Sequence, residues 1–156
     1  TAMLTVSGIY NLDLVPSARE LLRRLDHGMI YLKIAGSYTP FALSPLAEGV
    51  GPALLTAVWT AAGLGFALKA IAPRRLEYAG LALYLALGWS VLFVFDEARA
   101  ALEPRALALI AAGGAAYTAG VGFHLAERLP FHKAIWHVFV LAGTVCIYAA
   151  VTTEIA

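Results

Sequence analysis

The chain is a succession of long apolar segments separated by short polar connections. After an apolar start from Ala2 to Leu12, five longer segments follow, at residues 27–44, 51–72, 78–95, 106–125 and 134–152. A helix that crosses a bilayer needs about 20 mostly apolar residues, and each of the five is close to that length. The connections contain Pro45, Pro52, Pro73, Pro104 and Pro130, at positions where a missing N–H costs least. The pattern predicts an all-α, polytopic membrane helix bundle.

The apolar start is too short to cross a bilayer by itself. We therefore expect the stretch from Ala2 to Leu12 to be the end of a helix whose beginning precedes this sequence. The connections are short, so consecutive helices should be antiparallel neighbours. No composition shift marks a second domain, and residues 1–156 are expected to form one transmembrane domain that is incomplete at its N-terminus.

Composition supports a membrane location. Hydrophobic residues make up 61% of the chain and charged residues 13%, against about 45–50% and about 25% in soluble domains. A net charge of +1 and the lack of a basic patch argue against nucleic acid as a partner. The expected partners are membrane lipids, including a lipid ligand or substrate, and the pattern leaves homo-oligomerisation open.

The loop charges predict an orientation. The first, third and fifth connections carry eight Lys and Arg residues, and the second and fourth carry two. Lys and Arg accumulate on the cytoplasmic side of membrane proteins, so the odd-numbered connections should be cytoplasmic and the C-terminus should face outward. We expect the protein to lie in the cell (inner) membrane. The basic residues of its cytoplasmic connections are Arg19, Arg23, Arg24, Lys69, Arg74, Arg75, Arg128 and Lys133.

Gly114, Thr118 and Gly122 recur every four residues and form a stripe of small side chains. Such a stripe serves either a dimer interface or close packing inside a bundle. Packing inside the bundle is the favoured interpretation.

Polar groups inside a membrane protein are costly and often functional, and five of them fall at the cytoplasmic ends of the segments. They are Ser7, Asn11, Asp26, Lys133 and His137. A serine, a carboxylate and a histidine at one depth suit a metal site or a hydrolytic centre. The alternatives are an N-cap role for Asp26, a histidine bonded to a carbonyl for His137, and a hydroxyl bonded to its own helix for Ser7.

Several motifs resemble those of bacterial hemolysin III proteins, which belong with the progestin and adipoQ receptors, including the adiponectin receptors. The motifs are LDHGMIY at 25–31, IAGSYTPF at 34–41, Gly88-Trp89, GAAYTAG at 114–120 and HKAIWHVFVLAG at 132–143. The resemblance covers the whole chain. It implies a seven-helix fold with the C-terminus outside, of which the first helix and part of the second are missing here.

The resemblance also implies a cytoplasmic zinc site made of three histidines and an aspartate beside a serine, which related ceramidases use to hydrolyse lipid amides. By position, Ser7 corresponds to the serine, Asp26 to the aspartate and His137 to the final histidine. Asn11 and Lys133 stand where the other two histidines are expected. Asparagine is a weak neutral donor and lysine is normally cationic, so the site is expected to be degenerate, with His132 as a possible substitute ligand.

Two hypotheses follow for the lysines. We expect the Lys133 ammonium to replace the metal and pair with the Asp26 carboxylate, because a buried carboxylate needs a compensating charge. Lys33 lies seven residues after Asp26, hence on nearly the same helix face and about 10 Å deeper. It either snorkels or lines a polar cavity, and its partner is not evident from the sequence.

The expected function is a non-catalytic, hemolysin III-type membrane protein that is receptor-like, lipid-binding or pore-forming. The alternative is a zinc-dependent membrane hydrolase of lipid amides, in which Asp26, His137 and a third residue bind the metal and Ser7 is catalytic. The expected cofactor is accordingly zinc or none, with none favoured.

Overall fold

The computed structural model describes residues 2–12, 15–44, 46, 48–71 and 77–155. Helices dominate this part of the chain. The seven α-helices of the described residues are α1 (Ala2–Asn11), α2 (Arg19–Leu43), α3 (Gly51–Ile71), α4 (Glu77–Gly88), α5 (Phe95–Ala101), α6 (Pro104–Leu125) and α7 (His132–Ile155). Two short 3-10 turns, Pro16–Ala18 and Ser90–Val94, precede α2 and α5.

The predicted all-α membrane bundle is confirmed. Four stretches in the described residues are long and apolar enough to cross a bilayer: α3, the stretch Ala79–Ala101, α6 and α7. Helix α2 has 25 residues, enough to span, but it also carries six charged side chains. These are Arg19, Glu20, Arg23, Arg24, Asp26 and Lys33.

Helix α2 begins eight residues earlier than the apolar pattern predicts. Its first turns are polar, and Glu20 accepts hydrogen bonds from Arg23 at 2.7 Å and from Arg24 at 3.3 Å. Ion pairs three and four residues apart stabilise a helix, so a charged segment that was assigned to a connection is helical. Arg24 also donates to the Ala70 carbonyl at 3.0 Å and satisfies a backbone acceptor at the end of α3.

The apolar segment at residues 78–95 is not one continuous helix, in contrast to the prediction. Helix α4 ends at Gly88, and the 3-10 turn Ser90–Val94 leads into α5. Backbone polar groups freed in a membrane must find partners inside the protein. Tyr38 supplies them, since its hydroxyl donates to the Gly88 carbonyl at 2.8 Å and accepts from the Val91 amide at 3.2 Å.

Helix α2 is central to the bundle, with contacts to α1, α3, α4 and α7, and α6 packs along α7. Glycines allow the closest approaches. A methyl group on Gly65 of α3 would lie 2.7 Å from the ring of Tyr31 on α2, and one on Gly120 of α6 would lie 3.0 Å from Trp136 on α7. The core therefore forms where aromatic side chains of α2 and α7 pack against glycines of the neighbouring helices.

The stripe of small residues on α6 contacts the same chain at two of its three positions. A methyl group on Gly114 would meet the Trp89 ring at 3.4 Å, and Thr118 accepts a hydrogen bond from the Trp89 indole at 3.0 Å. Gly122 has open space around it within the described structure. Packing inside the bundle accounts for Gly114 and Thr118.

Candidate functional site

A polar cavity of about 170 Å³ lies among α1, α2, α3, α4, α6 and α7. It includes three of the side chains that the sequence placed at the cytoplasmic end: Asp26, Lys133 and His137. The helices thus bring together residues that are more than 100 positions apart in the chain. The polar and titratable residues of the wall are Tyr10, Asp26, His27, Tyr31, Lys69, Tyr84, His124, Glu127, Lys133 and His137.

Ser7 contacts His137 beside this cavity. Its Oγ lies 3.4 Å from Nε2 of His137, and the residue is only 3% exposed. The two helices that carry them, α1 and α7, meet at this point. Asn11 ends α1, and its side chain lies outside the part of the chain that the structure describes.

Asp26 is not an N-cap. Helix α2 begins at Arg19 with Ala18 at the cap position, so Asp26 lies two turns inside the helix. The helix-capping interpretation of this residue is therefore wrong, and Asp26 is one of the residues that line the cavity.

Lys133 and Asp26 share the cavity without direct contact. Of the side chains in the described ranges, neither of these two makes an ion pair or a hydrogen bond. The expected ion pair between the Lys133 ammonium and the Asp26 carboxylate is therefore not formed in the described structure.

The start of α7 determines which residue faces the cavity. Phe131 adopts a left-handed backbone with φ of 61°, and α7 begins at the next residue, His132. Lys133 lies in the cavity wall, whereas His132 does not. The Nδ1 atom of His132 is buried, and it has no hydrogen-bond partner in the described structure.

Two residues of the cavity wall, Lys69 and His124, were not predicted from the sequence. Lys69, which was counted as a loop residue, lies in α3 and is 5% exposed, with its Nζ only 2.7 Å from where a methyl group on Gly80 would be. His124 was passed over, yet it lines the cavity and packs its ring 5.3 Å from that of Trp136. A basic residue in the last turn of a helix normally neutralises the helix dipole, and only the tertiary fold shows that Lys69 turns inward.

The wall of the polar cavity carries cationic side chains as well as possible metal ligands. Catalytic zinc sites use three protein ligands, and residues 2–12, 15–44, 46, 48–71 and 77–155 contain no group of three His, Cys, Asp or Glu side chains that could hold one. Asp26 and His137 instead share the cavity with two lysines, Lys69 and Lys133. An ammonium has no lone pair to offer a cation.

Comparison with known proteins identifies a family model and several relatives that this chain resembles. Residues 1–148 match the family model described as haemolysin-III related. The chain is 39% identical to Hemolysin-3 of Bacillus cereus over 136 residues, which are 87% of this chain and 62% of that protein. It is 36% identical to the Hemolysin-3 homolog of Bacillus subtilis over 133 residues, which are 85% and 62%.

A human protein is also similar. The chain is 30% identical to the human Monocyte to macrophage differentiation factor over 131 residues, which are 81% of this chain and 52% of that protein. The chain thus spans about three-fifths of the length of the bacterial relatives. No solved structure matches significantly.

Proposed function

The chain belongs to the haemolysin-III-related family, and from this premise we propose that it is a non-catalytic integral membrane protein. Its role is receptor-like or lipid-binding. The relatives named Hemolysin-3 also suggest pore formation, but a pore needs a wide polar surface. The helices α3, α6 and α7 are apolar enough to cross a bilayer, and their apolar composition favours lipid binding over a pore.

The composition of the polar cavity carries this proposal. Asp26 and His137 suit metal binding, but the two lysines beside them, Lys69 and Lys133, contribute positive charge instead of ligands. Positive charge repels a metal cation and attracts the anionic head group of a lipid. Because Asp26 and Glu127 also lie in the wall, the charges of the cavity balance, and it is better suited to a polar or zwitterionic head group than to zinc.

The sequence adds a second argument. Asn11 and Lys133 stand where the resemblance implies zinc-binding histidines. Replacing two imidazoles by a neutral amide and an ammonium removes two lone pairs that suit zinc. Asp26 and His137 alone are one ligand short of the three usual in catalytic sites.

The contact between Ser7 and His137 favours one alternative. A buried serine hydroxyl 3.4 Å from an imidazole suits a hydrolytic centre. In this alternative the protein is a zinc-dependent hydrolase of lipid amides that uses Asp26, His137 and a third ligand, with His132 as the substitute. His132 would have to turn toward the cavity to serve in that role.

We place the protein in the cell (inner) membrane as a multi-pass protein with the polar cavity on the cytoplasmic side and the C-terminus outside. The loop charges support this orientation. Several of these basic residues belong to helix ends in the structure, such as Arg23 and Lys69, but the rule counts residues near the ends of spans as well as loop residues. Arg74 and Arg75 lie outside the described residues. A seven-helix fold for the whole protein belongs to the same proposal.

Metal analysis of purified protein tests the proposal. We expect far less than one zinc per chain, unchanged by Asp26→Ala. One zinc per chain that is lost in Asp26→Ala would support the hydrolase instead. A lipid-amide hydrolysis assay with Ser7→Ala and His137→Ala as paired variants would then show whether the metal serves catalysis.

A further inference from the structure

A tight turn joins the last two helices at one surface of the membrane. Helix α6 ends at Leu125 and α7 begins at His132, and both helices are long and apolar enough to cross a bilayer. Backbone hydrogen bonds close the turn, from the Leu129 amide to the Ala126 carbonyl at 2.8 Å and from the His132 amide to the Leu129 carbonyl at 3.2 Å. The segment is too short to cross the bilayer itself, so it lies at the bilayer surface whichever way the protein is oriented.

Phe131 stands in this turn at a backbone position that normally takes glycine. Its φ is 61°, it follows Pro130, and the hydrogen bond from His132 to Leu129 encloses the two residues. Proline in the second position and a positive φ in the third are the features of a type II β-turn, whose third residue is usually glycine or asparagine. A bulky side chain at positive φ is strained.

Packing inside the protein does not explain the phenylalanine. Phe131 is 82% exposed, so its ring gains little from burial against the rest of the described chain. Glycine at this position would relieve the backbone strain and lose almost no packing. Strained residues that the fold itself does not require are candidates for functional contacts. The contact that favours Phe131 is therefore to be sought outside the folded chain.

The neighbours of Phe131 combine apolar surface with a positive charge. Leu129 is 38% exposed, and Arg128 is exposed as well. In the part of the chain that the structure describes, Arg128 makes neither an ion pair nor a hydrogen bond. We call Arg128, Leu129 and Phe131 the turn surface.

The turn surface is separate from the polar cavity. Glu127 and Lys133, on either side of it in the sequence, line that cavity, but Arg128, Leu129 and Phe131 do not. The guanidinium of Arg128 is therefore available to a ligand that approaches from the membrane surface.

The chemistry of the turn surface matches a phospholipid. Aromatic side chains favour the boundary between head groups and acyl chains, and a guanidinium binds phosphate oxygens with two parallel hydrogen bonds. A zwitterionic head group carries its own cation beside the phosphate, whereas an anionic one does not. The positive charge of Arg128 therefore favours an anionic phospholipid. A soluble phosphate would use Arg128 but would leave Phe131 and Leu129 in water.

We propose that the turn surface binds an anionic phospholipid, whose phosphate pairs with the Arg128 guanidinium and whose first acyl carbons contact Phe131 and Leu129. The bound lipid also acts on the start of α7, because the Phe131 carbonyl accepts a hydrogen bond from the Ile135 amide at 3.0 Å. The proposal concerns a site outside the polar cavity, and it holds whether or not the protein is an enzyme.

Native mass spectrometry of lipid binding tests the proposal. The full chain in a neutral detergent is titrated with phosphatidylglycerol or with phosphatidylcholine of identical acyl chains, and the dissociation constant of the first bound lipid is measured. We expect phosphatidylglycerol to bind about fivefold more tightly, which is the effect of one basic residue beside an anionic lipid.

Matched arginine variants show whether this preference depends on the turn surface. Arg128→Gln should reduce the affinity for phosphatidylglycerol to that for phosphatidylcholine, and Arg128→Lys should keep most of the preference. Arg99→Gln is the control. Arg99 is also exposed, but it lies in α5, beside the opposite end of α6, so its loss removes the same charge and should leave the preference unchanged.

Phe131→Gly separates a lipid contact from a structural role. The substitution relieves the positive φ, so the unfolding midpoint in lipid-free detergent should stay the same or rise, while the affinity for phosphatidylglycerol falls. Phe131→Trp should keep the affinity, because an indole also suits the membrane interface.

Four results would overturn the proposal. They are equal affinity for the two lipids, equal effects of Arg128→Gln and Arg99→Gln, and a Phe131→Gly variant that unfolds more easily or binds phosphatidylglycerol undiminished. The fourth is release of the bound lipid by excess glycerol phosphate, which would indicate a site for a free anion.

Discussion

The Tyr38 hydroxyl donates a hydrogen bond to the Gly88 carbonyl at 2.8 Å. This bond connects α2 to the end of α4. The same oxygen accepts from the Val91 amide at 3.2 Å. One side chain thus satisfies a carbonyl and an amide at the point where a membrane-embedded helix is interrupted. Without it, both groups would face an apolar environment, which is costly.

Tyr38→Phe is therefore expected to destabilise the bundle. Removing the hydroxyl leaves two backbone groups without their partner, and unsatisfied buried groups cost about 1–3 kcal/mol each. Denaturant unfolding in mild detergent measures the change. Tyr148→Phe is the control, because Tyr148 is 70% exposed, and an equal loss in both variants would contradict this role of Tyr38.

Gly65→Ala should disturb the contact between α2 and α3. The added methyl group would lie 2.7–2.9 Å from three ring atoms of Tyr31, which is 2% exposed and cannot move freely. Overpacking of this kind costs about 1–3 kcal/mol. Gly63→Ala, on the same helix with nothing within 4 Å of the new methyl group, should be close to neutral in the same unfolding assay. Equal stabilities for the two variants would contradict the packing described here.

The pKa of Glu20 reports on the ion pairs in the first turn of α2. This turn lies outside the apolar segments. The hydrogen bond from Arg23, with a smaller contribution from Arg24, lowers the pKa of the Glu20 carboxyl from 4.5 to about 2. Because the pKa of Glu20 is lower in the folded protein than in the unfolded chain, its ion pairs contribute fully to stability at pH values above about 4.5. This contribution is lost as the pH falls from about 4.5 toward 2.

Carbon-detected NMR of the Glu20 carboxyl measures this midpoint. We expect a value near 2 in the wild-type protein and a clear rise toward the ordinary value in Arg23→Gln. A wild-type midpoint at the ordinary value would show that the ion pair does not form in solution.

The apolar pattern predicted α3 and α6 to within two residues, because the ends of both helices coincide with the ends of an apolar run. It missed the start of α2, where hydrogen bonds from Arg23 and Arg24 to Glu20 stabilise helix in a polar segment. It also missed the interruption after Gly88. The residue that hydrogen-bonds the Gly88 carbonyl at this interruption is Tyr38, fifty positions away. No local sequence pattern contains that information.

The candidate site was predictable in part. Asp26, Lys133 and His137 were expected at one end of the bundle, and all three line the polar cavity. Lys69 and His124 were not expected, since a terminal lysine and a terminal histidine usually serve as helix-end charges. The acceptors of Lys33, Tyr117 and Thr144, lie on two other helices, so only the packed structure identifies them.

We propose that Asn11 and Lys133 leave this member of the haemolysin-III-related family two histidines short of a zinc site. Zinc content is compared between the wild-type protein and the double variant Asn11→His/Lys133→His after identical purification. We expect a substoichiometric amount in the wild type and about one zinc per chain in the double variant, where Asp26 and His137 gain two imidazole ligands. One zinc per chain in the wild type, with no gain in the double variant, would overturn the non-catalytic proposal.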